Sequence, residues 1–181
     1  MATEQELERT FLARHIPPQI SGARSKQITD TYLPETAAHP LMRLRDSGGT
    51  YELTKKVPLS GTDSTNQLEH TIPLDATEYE VFRTLSQKTV TKRRYYCTFY
   101  GRAAEVDVFM GGLKGLVLID FEFSDEATMR SFTPPEVCLA DVSQEAFVAG
   151  GVLAGKTYDD IASQLLTYNY EPLYEEEGEK L

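Results

Sequence analysis

The sequence is poor in cysteine, in long apolar runs and in positive charge. Its 181 residues include two cysteines, Cys97 and Cys138, which cannot build a disulfide framework and do not form a CxxC pair. No apolar run approaches the roughly 20 residues that span a bilayer, and the polar start MATEQELERT does not resemble a signal peptide. We therefore expect a reduced, cytoplasmic protein without a membrane partner.

Acidic residues outnumber basic ones, with 28 Asp and Glu against 18 Lys and Arg and a net charge of −10 at pH 7. Non-specific nucleic-acid binding needs a basic field, which argues against nucleic acid as a partner. An anionic small molecule stays possible, because metal ions and local Lys and Arg side chains can reverse the field inside a cleft. The length and the apolar fraction of 40% predict a single domain over residues 1–181, with a frayed acidic tail at 175–181.

Short segments rich in β-branched and aromatic residues, separated by Gly, Ser and Asp turns, predict strands along the first two-thirds of the chain. The predicted strands are 3–12, 26–33, 40–46, 49–57, 65–72, 88–100, 102–110 and 115–123. Helical patterns occupy 75–85, 124–130, 144–153 and 157–168. Asp75 or Thr77 is expected to cap the first of these helices. Many strands with mostly late helices predict an α+β fold with one large antiparallel sheet.

The polar faces of these strands carry charges two residues apart, whereas an ordinary half-buried strand carries mixed polar residues on its solvent face. In the eighth predicted strand the face from Val117 to Phe123 is apolar and must be buried, and we expect it beneath the C-terminal helices. Asp120 and Glu122 then point to the opposite face. An open sheet leaves such charges in water, whereas a barrel of about eight strands brings them together in a polar interior.

A charged interior is costly unless a highly charged ligand occupies it, because each unpaired buried ion costs several kcal/mol. Stacked carboxylates suit hard cations such as Mg²⁺ or Mn²⁺, and Arg and Lys suit the oxygens of a polyphosphate. The interior set would comprise Glu6, Glu8, Glu69, Glu105, Asp107, Asp120, Glu122, Arg43, Arg45, Lys56, Lys92 and Arg94. From alternation alone, a solvated face and a charged interior are equally good interpretations.

An ordered set of motifs over residues 6–123 resembles that of the CYTH superfamily, the triphosphate tunnel metalloenzymes. The run that begins Glu6-Leu7-Glu8 resembles the ExExK signature of this family. The motifs that follow are a Tyr-Leu strand at 27–33, RxR at 43–45, TxK at 54–56, a glutamate at Glu69, KxRY at 92–95, ExDxF at 105–109 and a GL…ExE strand at 115–123 with Asp120 for its first Glu. The resemblance implies a closed eight-stranded antiparallel β-barrel, the triphosphate tunnel, with helices packed outside it.

The resemblance also implies hydrolysis of a triphosphate, inorganic tripolyphosphate being the preferred substrate, with one or two Mg²⁺ or Mn²⁺ ions as cofactor. The residues that it assigns to phosphate binding are Arg43, Arg45, Lys56, Lys92 and Arg94. Those that it assigns to metal binding are Glu6, Glu8, Glu69, Asp120 and Glu122, and those with catalytic roles are Lys92, Glu6 and Glu8. The sequence does not specify an oligomeric state, although a homodimer is common in the family.

One departure from the family pattern keeps other functions open, since Thr10 stands where the ExExK signature has lysine. The enzymatic alternative is an adenylate cyclase of the CYTH class, which converts ATP to cAMP. The non-enzymatic alternative is a catalytically weak module that binds polyphosphate or a nucleotide.

Residues 150–157 also match the phosphate-loop pattern GxxxxGK[ST]. Only 24 residues follow Thr157, which are too few for the parallel sheet around a phosphate loop, so we expect a Gly-rich turn between two helices there.

Overall fold

The computed structural model describes residues 2–175, in which one antiparallel sheet of nine strands dominates. The strands are β1 (Ala2–Ala13), β2 (Ser25–Leu33), β3 (Met42–Asp46), β4 (Tyr51–Pro58), β5 (Asn66–Leu74), β6 (Thr89–Phe99), β7 (Arg102–Phe109), β8 (Val117–Glu122) and β9 (Cys138–Asp141). The helices are α1 (Ala76–Phe82), α2 (Glu126–Ser131), α3 (Gly150–Leu153) and α4 (Ala162–Leu166). Apart from residue 175, the predicted frayed tail lies outside the described residues.

Eight of the strands close into a barrel, because β1 pairs with both ends of the sheet. Residues 2–7 of β1 pair with β5, and residues 8–12 pair with β8. Around the barrel the order is β1-β5-β4-β3-β2-β6-β7-β8, and every neighbouring pair is antiparallel. The predicted closed eight-stranded antiparallel barrel is confirmed. The ninth strand, β9, which pairs with residues 11–13 of β1, was not predicted.

Local turn and capping chemistry places several of the element ends. Asp75 is the cap of α1: its side chain accepts a hydrogen bond from the Glu78 N–H, and the Glu78 side chain accepts one from the Asp75 N–H, at 2.9 Å each. The β6–β7 hairpin turns through Tyr100 and Gly101, both with positive φ, as a two-residue type I′ turn requires. These residues set the register of the strands that they connect.

An apolar core lies on the outer faces of β1, β7 and β8. Phe121 is fully buried there and packs against Phe132, with 4.8 Å between the ring centroids. Met129 of α2 and Val137, just before β9, complete the cover. The prediction that helices C-terminal to β8 cover this face is confirmed for α2, whereas the later segment that carries α3 and α4, called here the C-terminal segment, packs at one end of the barrel.

A second apolar cluster, called here the apolar plug, fills that end of the barrel. Its barrel residues lie on the same faces as the interior charges and are Leu12, Tyr32, Val90, Phe109 and Leu118 in the strands and Leu116 just before β8. They pack with Leu153, Ile161 and Leu165 of the C-terminal segment, all three fully buried. Burying one such side chain contributes about 1.5–3 kcal/mol, so the plug holds the C-terminal segment onto the barrel.

The C-terminal segment is less helical than predicted. The helix predicted at 144–153 is a 3₁₀ turn, Ala146–Val148, followed by α3, and the one predicted at 157–168 is shortened to α4. A Cβ at Gly150 would collide with the Tyr32 hydroxyl, so packing on the barrel end overrides helix propensity in setting this backbone. Of the two glycines that define the GxxxxGK[ST] match, Gly150 begins α3, and Gly155 has a positive φ and lies in a turn between α3 and α4, as predicted. A 3₁₀ turn precedes them where a phosphate loop needs a buried strand. None of the helices in residues 2–175 has the length and apolarity to cross a membrane.

Candidate active site

The ten residues predicted to bind phosphate or metal lie on the inner face of the barrel. Strand alternation and register place them there, with Glu8 opposite Glu122 and Lys56 opposite Glu69 on neighbouring strands. Ion pairs connect the acidic and basic members, and each of these pairs joins side chains of the barrel strands. The structure thus brings the whole predicted set together, and the individual roles stay predictions.

A group of carboxylates converges at one side of this interior. Glu6, Glu8 and Glu122 each place one carboxylate oxygen so that the three atoms lie within 4.8 Å of one another. Asp120 is the next inward-facing residue on β8, and its Oδ1 is buried with no hydrogen-bond partner among residues 2–175. Converging carboxylates and a buried oxygen without a partner are the donor set that a hard divalent cation requires. These residues therefore fit Mg²⁺ or Mn²⁺.

The pKa values of several of these carboxylates are raised, because the side chains are buried close to one another. Burial, followed by repulsion from Glu8, holds the pKa of Asp120 well above its usual value. Burial also raises the pKa of Glu6, and burial together with Glu105 raises that of Glu122. A bound cation would reverse these shifts, because it stabilises the ionised carboxylates that now repel one another.

Two basic side chains are held by Asp30, a residue of β2 whose side chain is 2% exposed. Arg45 donates to both of its oxygens, from Nε at 2.7 Å and from Nη2 at 2.8 Å, and Arg43 Nε lies 3.9 Å away. Burial by itself would raise the pKa of Asp30, but Arg43 and Arg45 lower it to about 2. Asp30 is therefore ionised; it orients the Arg45 guanidinium and attracts that of Arg43, whose buried Nε has no hydrogen-bond partner among residues 2–175.

Asp107 of β7 is a second buried carboxylate, and it pairs with the basic side chains of Lys92 and Arg94. Arg94 donates to its two oxygens at 2.7 and 2.6 Å, and Lys92 forms a salt bridge with it. Burial would raise the pKa of Asp107, but the two cations hold it far below its usual value. Arg94 also pairs with Glu105 and lies 3.6 Å from Asp120 Oδ2, so it connects the basic group to the carboxylates.

Lys56 completes the basic group at its more exposed edge. It forms a salt bridge with Glu6, and its Nζ lies 3.4 Å from Glu69 Oε2. Glu69 in turn accepts a hydrogen bond from Thr71 at 2.8 Å. Two predicted metal ligands are thus partners of a predicted phosphate-binding lysine.

Comparison with known proteins identifies the family. No family model matches the sequence. An inorganic triphosphatase of Nitrosomonas europaea is 30% identical over 132 residues, which make up 72% of this chain and 83% of that protein. This chain belongs to the CYTH superfamily of triphosphate tunnel metalloenzymes. The crystal structure of an inorganic triphosphatase matches the fold with a TM-score of 0.60 at 28% identity, over 82% of this chain and 93% of that one.

The tunnel fold also occurs in more distant proteins. The structure of a candidate adenylate cyclase from Bacillus halodurans matches with a TM-score of 0.50 at 15% identity, over 98% of this chain and 97% of that one. At this identity the match shows the shared fold alone. It confirms the tunnel architecture and carries no argument about the reaction.

Thr10, the departure from the signature of tunnel metalloenzymes, lies among the carboxylates. Its Oγ1 is 3.5 Å from a Glu8 oxygen, and it faces Asp120 across the β1–β8 pair. The Thr10 N–H donates to the Ser143 hydroxyl at 3.0 Å, which ties this part of β1 to the segment after β9. A lysine at position 10 would stand between Glu8 and Asp120, so its absence leaves these carboxylates without a nearby cation on β1.

The site predicted from the sequence omitted Asp30 and assigned no role to Asp107. Asp107 belonged to the predicted interior set, and it lies directly opposite Arg94 across the β6–β7 hairpin, so the register of that hairpin carried the signal for its contacts with Lys92 and Arg94. Asp30 could have been found from the alternation of β2, where it shares a face with Tyr32.

A separate cavity of about 680 Å³ opens outside the barrel between the β4–β5 loop and α2, and it is lined by none of the predicted site residues.

Proposed function

We propose that this chain hydrolyses inorganic tripolyphosphate with the help of one or two divalent metal ions, Mg²⁺ or Mn²⁺. The observation that carries the proposal is the facing arrangement of the converging Glu6, Glu8 and Glu122 carboxylates and a basic group held in place by buried aspartates. The sequence relative named inorganic triphosphatase supports the same reaction class.

Each group has a defined task in this proposal. Arg43 binds phosphate oxygens through its planar fork, Arg45 and Arg94 bind them through the N–H groups that Asp30 and Asp107 leave free, and Lys56 and Lys92 add point charges. The residues that would hold the metal are Glu6, Glu8 and Glu122, with Asp120 and Glu69 beside them. When bound, the ion lowers the pKa of a water molecule and offsets phosphate charge. The barrel wall and the apolar plug exclude bulk water, which strengthens these electrostatic interactions.

Phosphate release from tripolyphosphate, measured with Mg²⁺, with Mn²⁺ and with EDTA, tests the proposal. We expect turnover that depends on the metal and is lost on chelation. Metal binding measured by calorimetry gives a second readout, because a structural role for the carboxylates would produce no binding. Absence of phosphate release with either ion would refute the triphosphatase.

A catalytically weak binding module is the second candidate, and Thr10 in place of the signature lysine is the observation that favours it. Tight binding of tripolyphosphate without turnover would support that module. The cyclase alternative has no comparable support, and an assay for cAMP formation from ATP in the same experiment tests it. The homodimer, the cytoplasmic location and the lack of nucleic-acid partners stay predictions, and light scattering of the purified protein tests the first.

A further inference from the structure

Basic and aromatic side chains lie together at the end of the barrel opposite the apolar plug. β2 begins and β6 ends there, because the other ends of these two strands contribute to the plug. Tyr96 is on the inner face of β6, two residues beyond Arg94. Lys26 is on the inner face of β2, opposite Arg94 in the register, and Arg24 precedes β2 by one residue. Arg24, Lys26 and Tyr96 are called here the basic rim.

The Arg24 side chain is held against the ring of Tyr96. Its guanidinium carbon lies 4.2 Å from the ring centroid, which makes a cation–π contact. The Tyr96 N–H donates to the Arg24 carbonyl at 3.0 Å, so the backbone joins the two residues as well. A guanidinium over a ring face keeps the N–H groups at its edge available to an anion. Arg24 is therefore positioned before any ligand binds.

Neither cation of the basic rim is neutralised by a carboxylate. Within residues 2–175 neither Arg24 nor Lys26 forms a salt bridge, whereas each of the five basic residues inside the tunnel pairs with at least one acidic side chain. Acidic side chains of the same barrel end, such as Glu4 and Glu122, lie on β1 and β8, which do not neighbour β2 or β6. In a chain of net charge −10, this wall thus presents two uncompensated positive charges.

We infer that the basic rim binds a fourth phosphate group of a linear polyphosphate, beyond the three that the proposed function places in the tunnel. Successive residues on one face of a strand are about 7 Å apart, so the rim continues the row of Lys92 and Arg94 outward by one step. A chain of four or more phosphates that contacts Arg94 reaches the rim along this wall. Arg24 donates from the edge of its guanidinium, and Lys26 adds a point charge.

The basic rim favours phosphate over a flat organic group such as a nucleobase. One face of the Tyr96 ring is already covered by Arg24. An uncharged ring would also leave both cations without a counter-ion, whereas a phosphate compensates them. The inference rests on the proposed function and extends its substrate class to linear polyphosphates of at least four phosphates.

Kinetics with two chain lengths test this inference. The measured quantity is the ratio of kcat/KM for tetrapolyphosphate to kcat/KM for tripolyphosphate. Replacing both cations, in the double variant Arg24→Gln/Lys26→Gln, should lower this ratio about tenfold. The single variant Lys26→Gln should lower it in the same direction, and it removes an exposed side chain that the fold does not need. Lys55→Gln is its matched control, because Lys55 is an exposed lysine on the outer face of β4, and this variant should keep the wild-type ratio.

A further variant separates the positioning of Arg24 from charge. Tyr96→Leu removes the ring and no charge, and it should lower the same ratio about threefold, as expected for loss of a weak cation–π contact. An equal ratio in the wild type and the double variant, or an equal fall in Lys26→Gln and Lys55→Gln, would overturn the inference. A preference for ATP over tetrapolyphosphate that Tyr96→Leu removes and Lys26→Gln keeps would assign the rim to a nucleobase and overturn it too.

Binding separates this inference from the proposed reaction. If neither chain releases phosphate, the proposed function fails, and the affinities of the two chains are then measured by calorimetry with Mg²⁺ present. The affinity for tetrapolyphosphate relative to tripolyphosphate should fall about tenfold in the double variant. A relative affinity equal to that of the wild type would refute the fourth phosphate site by itself.

Discussion

Replacing Asp30 with asparagine isolates the contribution of one buried carboxylate that holds two arginines. Asparagine keeps the shape but loses the charge, and it offers one acceptor where Arg45 now donates two hydrogen bonds at 2.7 and 2.8 Å. Removing one partner of a buried ion pair costs about 3–5 kcal/mol, because the other charge stays buried without compensation. That is a large share of a domain's total stability, so Asp30→Asn should lower the urea midpoint strongly at pH 7.

An exposed ion pair provides the matched control. Glu80 and Arg83 lie at a comparable distance, 2.6 Å, but their side chains are 59% and 55% exposed, so water screens the attraction. Glu80→Gln should therefore leave the urea midpoint close to that of the wild type. Similar losses in Asp30→Asn and Glu80→Gln, or a wild-type midpoint in Asp30→Asn, would refute the reasoning.

The stability difference between the wild type and Asp30→Asn should depend on pH, because the pKa of Asp30 is lowered in the folded protein. Asp30 has a pKa of about 2 in the folded protein against an ordinary aspartate value of 3.8, so its stabilising effect is present above pH 3.8. It is lost as the pH falls from 3.8 toward 2, where the wild-type carboxyl becomes protonated in the folded state too. The stability gap between wild type and Asp30→Asn should narrow over this interval. A gap that widens toward pH 2 would show that Asp30 is not the group responsible.

Three further predictions concern activity. Arg45→Lys should raise KM for tripolyphosphate about tenfold with a smaller change in kcat, because lysine loses the N–H groups that Arg45 has left for phosphate while Asp30 holds its Nε and Nη2. A lysine is used since alanine would leave Asp30 without its closest partner, and unchanged kinetics would place Arg45 outside the site. Glu122→Gln should abolish metal-dependent phosphate release at an unaltered urea midpoint, and full activity would contradict its role as a ligand. Thr10→Lys should raise the rate of phosphate release about tenfold, because it places a cation beside Asp120. Thr10→Met, a side chain of similar length without the charge, should leave the rate unchanged. Equal rates in both variants and the wild type would show that the missing lysine does not affect catalysis.

The charged interior could be predicted because the side-chain period of a strand is two and the charges recur with it. Glu6 and Glu8, or Arg43 and Arg45, each mark a face by themselves, and closure of the barrel then determines what they meet. Asp30 escaped this test because no second acidic residue stands beside it on its face of β2, where its neighbours are Ile28 and Tyr32 and the next charge, Lys26, has the opposite sign. A pattern of stacked like charges cannot reveal a single carboxylate whose partners lie on another strand.

The closed end of the tunnel could not be predicted, because it depends on contacts and not on periodicity. The helical patterns at 144–153 and 157–168 indicate amphipathic segments, but they do not say which surface those segments cover. Once the segment packs on the barrel end, close contacts such as that of Gly150 with Tyr32 determine its backbone. The apolar residues Leu116 and Leu118 carried the relevant signal, since they occupy the same face as Asp120 without being polar.

In the proposed function, metal and phosphate binding depend on each other because of the way in which the tunnel charges are paired. Lys56 forms its closest contact with Glu6, and Arg94 pairs with Glu105 beside Asp120. A phosphate that binds Lys56 competes with Glu6 for the ammonium group and leaves the carboxylate uncompensated. A divalent ion that binds Glu6 supplies that compensation and at the same time releases Lys56 for the phosphate. A protein of net charge −10 can thus bind a highly charged anion, because each ligand removes the electrostatic cost of the other.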